Sequence, residues 1–474
     1  MRPESGAGWA SGSVTYNRRR QMEIHFPVRE SRLVLRACNA REPLAPGDSR
    51  WYDFTALRHA GIQPRLQKVL LAPPAEGRFH HRLLCGHRGC GKSTELLHFQ
   101  QWAEGNGFAC RRVEVEVELG HIDLEFSDFY LLAATAAEKA LADLGSPLPE
   151  KSLRPIIEWF AEVTKVDDTV RESELGVEAT AQAEGGIPWL AKLTGKFFSG
   201  MKVGATHAVT VRQHLRNSPD RLIDLTNALL NRAHDQLKTL DPPRDGGLIL
   251  IFDNLDRYLS ERVDAVLIQA SNLLGKLCCH ALFTIPVDLE YNPRRVPLRD
   301  AYGPPLVLPM IPLRERHARW GSDVAESEHR QEAIDGLREA LSRRVVIAEV
   351  FEQPTDVELL LRMSGGCIRD VMHLVSLAYE FSEGGKLSTE GCVNAIRELR
   401  ATYARGLSYD EYERLAAIAA GESVDRDELT NQLLYQRRAL EYYDQEHEVW
   451  LGVHPVIVEI EEFQNAYARR RRTA

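Results

Sequence analysis

Between Trp51 and Leu308 the chain alternates short apolar runs with stretches whose apolar residues recur at helical spacing. Ile62, Leu66, Val69 and Leu70 predict a helix within 51–71. Leu83-Leu84-Cys85 reads as a strand, and Leu96, Leu97, Phe99 and Trp102 predict a helix over 93–104. The alternation of Cys110, Val113, Val115 and Val117 predicts a second strand over 108–118, followed by a long helix over 126–144. Leu248-Ile249-Leu250-Ile251-Phe252 is an unbroken apolar run, as a strand buried on both faces requires. Further strands are expected at 281–285 and 306–308, with a helix at 263–277 before them. Strands alternating with helices imply an α/β core, a parallel sheet with helices on both faces.

After Pro312 the pattern turns helical, from Arg330 to about Ile418. A helix over 409–420, another over 425–437 and a hairpin of 439–443 with 448–453 then follow in the order of a winged helix. These shifts divide the chain into four parts. The segment 1–45 is expected to be disordered or loosely packed. A core covers 46–312 with an insertion at about 151–240, a helical lid 313–400, and a winged-helix-like domain with a basic tail 401–474. The insertion carries helical patterns near 156–163 and 212–240 and an alternating stretch of Val177, Ala179, Ala181 and Ala183. After Ile187-Pro188-Trp189-Leu190, its amphipathic run Lys192 to Lys202 is expected to pack on its own domain rather than on a partner or membrane.

At 474 residues the chain exceeds one ordinary domain, and 44% hydrophobic with 27% charged residues is a soluble, globular balance. No run approaches a membrane span and the start resembles no signal peptide, so a cytoplasmic protein without membrane contact is expected. The eight cysteines lack zinc-site spacing and read as reduced, mostly buried thiols. A net charge of −9 does not favour nucleic acid over the whole surface. The tail Arg469 to Arg472 is the one candidate patch, with a solvated, disordered tail as the plainer reading.

The chemistry centres on Gly86-His87-Arg88-Gly89-Cys90-Gly91-Lys92-Ser93-Thr94, which satisfies GxxxxGK[ST] between a predicted strand and a predicted helix. Its main-chain N–H groups and the helix N-terminus suit phosphates; Lys92 suits the β- and γ-phosphates and Ser93 a Mg²⁺ ion. Asp253, ending the run 248–252 on a strand expected next to the loop strand, is the second metal-directed group. Asn254 stands where a proton-accepting carboxylate would serve hydrolysis, which makes Asp256 the candidate base unless it pairs with Arg257 or caps a helix. Thr284, ending a strand before Pro286, is placed to orient water, or merely packs in the turn. In Ser364-Gly365-Gly366-Cys367-Ile368-Arg369-Asp370 two glycines open a helix whose Arg369 could reach a γ-phosphate, the alternative being a surface pair with Asp370. Arg294, Arg295 and Arg299, on a loop between strands, are candidates to enter a neighbouring subunit's site.

Together these residues resemble the AAA+ class of P-loop NTPases, in its replication-initiator and STAND-like branch, whose lid carries a GGxxR helix before a winged helix. Asp253-Asn254-Leu255-Asp256-Arg257 is also similar to the acidic strand of the KAP group. The resemblance spans roughly 51–460. It implies ATP and Mg²⁺ as cofactors, Thr284 and Arg369 as first and second sensors, and slow hydrolysis because of Asn254. It further implies a nucleotide-controlled switch in a homo- or hetero-oligomeric protein assembly; the loop from Gly86 to Leu96 is also similar to that of a set of prokaryotic ATPases, some of which resemble proteins encoded near anti-phage systems. The alternative the resemblance carries is a DNA-associated loader or remodeller using the winged helix. In 425–437, however, Arg426 and Arg437 are offset by Asp425, Asp427 and Glu428, which leans toward protein contact, as does a wing with Trp450, His454 and Pro455.

Overall fold

The computed structural model describes residues 24–73, 78–165, 189–291, 295–316 and 329–471. Strands β1 (His81–Cys85), β2 (Phe108–Glu114), β3 (Gly247–Asp253), β4 (His280–Ile285) and β5 (Leu306–Val307) form one sheet in the order β2-β3-β4-β1-β5. Every pairing in it is parallel. Alternate residues serve opposite faces. Leu84, Ile249, Ile251 and Leu282 pack with Ile62, Leu66, Leu96 and Phe99 of the helices Ile62–Leu71 and Lys92–Gly105. Leu83, Leu250, Phe252 and Phe283 belong to the core on the other face, where the Phe129 ring of helix Phe126–Asp143 lies 5.3 Å from that of Phe252.

Leu84 is registered with Thr284 and Ile251 with Leu282, so β4 separates the loop strand β1 from the acid strand β3. The expectation that Asp253 ends a strand adjacent to the loop is thereby corrected. The crossover through helices Ser260–Leu267 and Ser271–Leu274 returns the chain into the gap between β3 and β1. All three strands still end on one edge, where parallel sheets bind their ligands.

Local readings are corrected where a second periodicity hid inside the first. Strand β2 stops at Glu114; Val115 and Leu119, four apart, are buried in helix Val115–Leu119 while Val117 is exposed. The helix within 51–71 is two, Thr55–Arg58 and Ile62–Leu71, parted at His59, whose φ of 53° ends the first. Likewise 212–240 is split before Pro219, which opens helix Pro219–Lys238. Arg295 and Arg299 lie on helix Arg295–Tyr302 rather than a loop, and Arg299 is paired with Glu290; Arg294 lies outside the described residues.

The N-terminal segment from Val28 onward is packed, against expectation. Val28 N–H donates to Arg344 O at 2.8 Å and Val346 N–H to Val28 O at 2.8 Å, while Val34, Ala37 and Cys38 are buried. Its apolar positions are too few to show a period, and their partner is the distant lid. Residues 1–23 lie outside the described residues. In the insertion, helix Trp189–Lys202 buries Phe197, Phe198 and Met201 within its own domain, as expected; Val177 to Pro188 lie outside the described residues.

Helices Gln331–Ser342, Asp356–Met363, Ile368–Glu380 and Thr389–Ala404 build the lid, the last running past the expected boundary at 400. Ser408 caps helix Tyr409–Ala419 reciprocally with Glu411, and Asp427 caps helix Glu428–Tyr435. The antiparallel pair β6 (Ala439–Tyr443) and β7 (Val449–Val453) and helix Glu461–Arg471 complete a winged-helix-like domain. The tail is not a loose basic run. Arg469 pairs with Glu413 at 2.6 Å and Arg470 with Glu422 at 2.6 Å, both from helix Glu461–Arg471, and Arg472 lies outside the described residues. All eight cysteines are free thiols and all but Cys278 are buried. Among the described residues no helix is long and apolar enough to cross a membrane.

Candidate functional site

β1 runs straight into the loop Gly86–Gly91, and helix Lys92–Gly105 begins at the lysine. The Lys92 ammonium donates to Gly86 O at 2.7 Å and His87 O at 2.8 Å, and stands 2.9 Å from Asp256 Oδ2. Burial opposes its charge, but Asp256 outweighs that cost and the lysine pKa is raised. Asp256 therefore reaches the loop as expected. Its partner is Lys92, and Arg257 is paired with Glu116 instead.

Asp253 ends β3 fully buried; its Oδ1 accepts the Asn254 N–H at 2.7 Å, Arg112 Nε lies 3.1 Å from its Oδ2, and the nearby Ser93 hydroxyl favours its ionised form. Burial pushes its pKa up, and Arg112 works against that push. A hydroxyl and a carboxylate meeting beside the phosphate loop are hard oxygen donors of the kind Mg²⁺ takes together with phosphate oxygens. These two residues fit that ion. Asn254 has φ 70°, a left-handed conformation that asparagine adopts more readily than glutamate, so backbone geometry favours the amide here. Thr284 is fully buried; its hydroxyl accepts Leu255 N–H at 3.1 Å and lies 3.5 Å from Phe252 O. It is the turn after β3 that Thr284 holds in place.

The lid meets the loop at Arg369. Its N–H donates to Gly89 O at 3.3 Å, and a Cβ on Gly89 would fall 2.5 Å from Arg369 Cβ, so only glycine lets the lid helix this close. Gly366 does the same for the lid's approach to the core, with φ 75° and a would-be Cβ 1.8 Å from Ile311 O. Asp370 does not pair with Arg369. It accepts from Tyr403 Oη at 2.7 Å, Arg437 Nη1 at 3.1 Å and His454 Nε2 at 3.3 Å, which hold its carboxyl well below the usual range despite burial.

Two other loop residues face the winged-helix domain. His87 Nε2 accepts Glu441 N–H at 2.8 Å. Arg88 Nε donates to Asp256 O at 2.7 Å, and its guanidinium lies 4.5 Å over the Tyr435 ring while donating to the Tyr435 hydroxyl. Tyr435 is on helix Glu428–Tyr435, the one a winged helix would offer to a groove, and that helix packs on the core turn Val287–Tyr291.

Sequence reading missed the N-terminal contribution. Thr94 Oγ1 accepts Leu44 N–H at 3.2 Å, the Cys90 carbonyl accepts from Arg58, and Trp51 stacks on His98 at 4.4 Å. No local signal marks Leu44, Arg58 or Arg112, because each acts on residues far along the chain. These groups enclose a cavity of about 140 Å³ with Gly89, Gly91 to Thr94, Asn254, Asp256, Arg369 and Met372 on its walls. Ligand sites usually run to several hundred Å³ (about 300 or more), so this cavity is smaller than a full nucleotide site. A larger cavity of about 790 Å³, beside Arg314, Trp450 and Arg470, is lined by none of the loop residues.

Sheet order, phosphate loop and acid strand define the fold as that of a P-loop NTPase core carrying a helical lid and a winged-helix-like domain. No family model and no curated protein matches the chain. Among solved structures it is similar to a Walker-type ATPase of Pyrococcus abyssi, at 11% identity over 89% of this chain and 98% of that one, with a TM-score of 0.40. It is also similar to the Aeropyrum pernix ORC1 protein in complex with DNA (14% identity, 90% and 95% covered, TM-score 0.33). Drosophila ORC bound to DNA matches at 11% identity, 96% of each chain and a TM-score of 0.38. Overlaps this loose carry no part of the assignment, which stands on the sheet order and the loop.

Proposed function

We propose that the chain binds ATP with Mg²⁺ at Gly86 to Thr94 and acts as a nucleotide-controlled switch within a larger protein assembly, hydrolysing ATP slowly. The observation that carries the reading is that His87 and Arg88, inside the phosphate loop, are bonded to the winged-helix domain, while Arg369 of the lid lies on Gly89. A loop reshaped by phosphates changes both contacts at once, so the two domains report its state. In this reading Lys92 turns from Asp256 to the phosphates, leaving the Asp256 carboxylate to accept a proton from water. Ser93 and Asp253 hold Mg²⁺, which when bound offsets phosphate charge, and Thr284 keeps the Asn254–Asp256 turn in register. An assembly in prokaryotic antiviral defence is the setting we propose from the loop's resemblance.

Size-exclusion light scattering with ADP, ATP and a non-hydrolysable analogue, with and without duplex DNA, tests the proposal. A mass that depends on nucleotide is expected; an unchanging mass sinks the assembly switch. Helix Glu428–Tyr435 is occupied by the core, so a DNA loader would have to release it first, and a DNA-dependent shift only with ATP is the outcome that would favour that role over protein assembly.

A further inference from the structure

We propose that Arg58 is a phosphate-binding residue of the nucleotide site, a cation brought by the N-terminal segment to the phosphates that ATP and ADP share. This rests on the ATP-binding reading and adds to it a residue outside every recognised motif.

Arg58 ends the one-turn helix Thr55–Arg58, and its side chain is 3% exposed. One terminal nitrogen donates to the Cys90 carbonyl within the loop and lies 3.7 Å from the place a Cβ on Gly91 would occupy. Nε is buried with no hydrogen-bond partner among the described residues. Glu95 Oε1 stands 4.0 Å from Nη1, at the outer limit of an ion pair, and the Glu95 carboxylate already takes a hydrogen bond from Gln63 at 3.1 Å. The Phe54 ring, with its centroid 5.4 Å from the guanidinium carbon, backs the group.

A guanidinium this deep, with so little opposing charge, carries a large desolvation cost. Burial accordingly drags its pKa down. An arriving anion supplies the missing charge, and Arg58 shares its cavity with Lys92, Ser93 and Thr94, where the phosphate chain of a nucleotide would lie. Its place along the loop assigns which phosphates. Arg58 sits at Gly91, where the helix opens and main-chain N–H groups cradle the α- and β-phosphates. Arg369 lies over Gly89, two residues earlier, and serves the terminal phosphate. The two arginines thus divide the triphosphate.

The test is titration of the full chain and of Arg58→Gln, Arg58→Lys and Arg369→Gln with fluorescent ATP and ADP, alongside melting temperatures without nucleotide. Arg58→Gln is expected to weaken ATP and ADP by the same factor, about tenfold or more, as for loss of a charge-assisted contact. Arg58→Lys should recover part of that loss, and Arg369→Gln should weaken ATP more than ADP. Undiminished affinity of Arg58→Gln for both nucleotides overturns the proposal. So does a lower nucleotide-free melting temperature with binding by the folded protein unchanged, which marks a scaffold role. If Arg58→Gln does not fold, Arg58→Lys decides: weaker binding of both nucleotides supports the assignment and full affinity refutes it. A wild-type chain that binds neither nucleotide fails the ATP reading itself, an outcome distinct from wild-type binding that survives the loss of Arg58.

Discussion

His87 Nε2 accepts the main-chain N–H of Glu441 at 2.8 Å, joining the second residue of the phosphate loop to the wing strand β6. An imidazole in that role must be neutral. Burial, with Lys92 and Arg437 nearby, pushes its pKa down to about 3.

The sign of the resulting pH effect follows from linkage. Undocked, His87 takes up a proton near its ordinary value of 6.5, whereas docked it stays neutral down to about 3. Its contribution to docking is therefore complete above pH 6.5 and lost as pH falls through the interval below, by up to about 1.4 kcal/mol per pH unit. The Glu441 carboxyl, raised to about 7 mainly by burial, acts oppositely, weakening docking as pH rises from 4.5 to 7. His87→Gln should flatten the acid-side loss and Glu441→Gln the loss toward neutrality. Fluorescence energy transfer between the core and the winged-helix domain, followed from pH 8 to 4 in both variants, checks each slope separately.

Arg88 links three elements: the loop that carries it, the carbonyl of Asp256 and the Tyr435 ring. Arg88→Ala removes the guanidinium from Tyr435 but no group from the phosphate cradle. We expect faster hydrogen exchange over 428–443 while ATP affinity changes by less than about tenfold, a cation–π contact and one charged hydrogen bond amounting to about 2–4 kcal/mol. Unchanged protection across that segment would show that the domain is held by other contacts.

How much of this was legible depended on how far apart the cooperating residues lie. Gly86 to Thr94 works through local spacing, so its place between strand and helix could be read directly. Asp256 could be nominated, but not its clasp on Lys92, which requires β3 and β1 to be folded around β4. Thr284 could be placed at its strand end, with water orientation or turn packing as its work; the bond from Leu255 N–H to its hydroxyl needed the folded sheet to be seen. Asn254 read as a missing base; it is first a residue at positive φ. The N-terminal strap and the loop's grip on the winged helix escaped altogether. Leu44 to Thr94 and His87 to Glu441 are contacts across 50 and 354 positions, and no periodicity encodes them.

Lys92 and Asp256 give opposite expectations. Lys92→Ala removes the cation that meets the phosphates and should abolish nucleotide binding; undiminished affinity in a fluorescent-ATP titration would refute the site. Asp256→Asn keeps the shape and frees Lys92 from its ion pair, so ATP affinity should hold or rise. Turnover, measured as phosphate release under saturating ATP, should fall by about 10²-fold or more if Asp256 is the proton acceptor. Equal turnover would move that role elsewhere.

Asp370 stands next to Arg369 on the lid helix yet turns to the winged-helix domain, where Arg437 and His454 share its carboxylate with Tyr403 of the lid helix Thr389–Ala404. The carboxylate is 1% exposed, so Asp370→Ala leaves the Arg437 charge and the Tyr403 hydroxyl without their partner in a dry site. Breaking one side of such a buried pair costs about 3–5 kcal/mol, whereas replacing both sides by apolar groups costs far less. Chemical denaturation should show Asp370→Ala strongly destabilised and Asp370→Ala combined with Arg437→Met partly recovered. Because Arg369 rides on the same helical turn, the single variant should also lose discrimination between ATP and ADP. The double variant should keep that discrimination, and because His87 and Arg88 still bond the loop to the winged-helix domain, that domain should still respond to nucleotide. A double variant whose winged-helix domain no longer moves with ATP would place the coupling in the Asp370 contact instead.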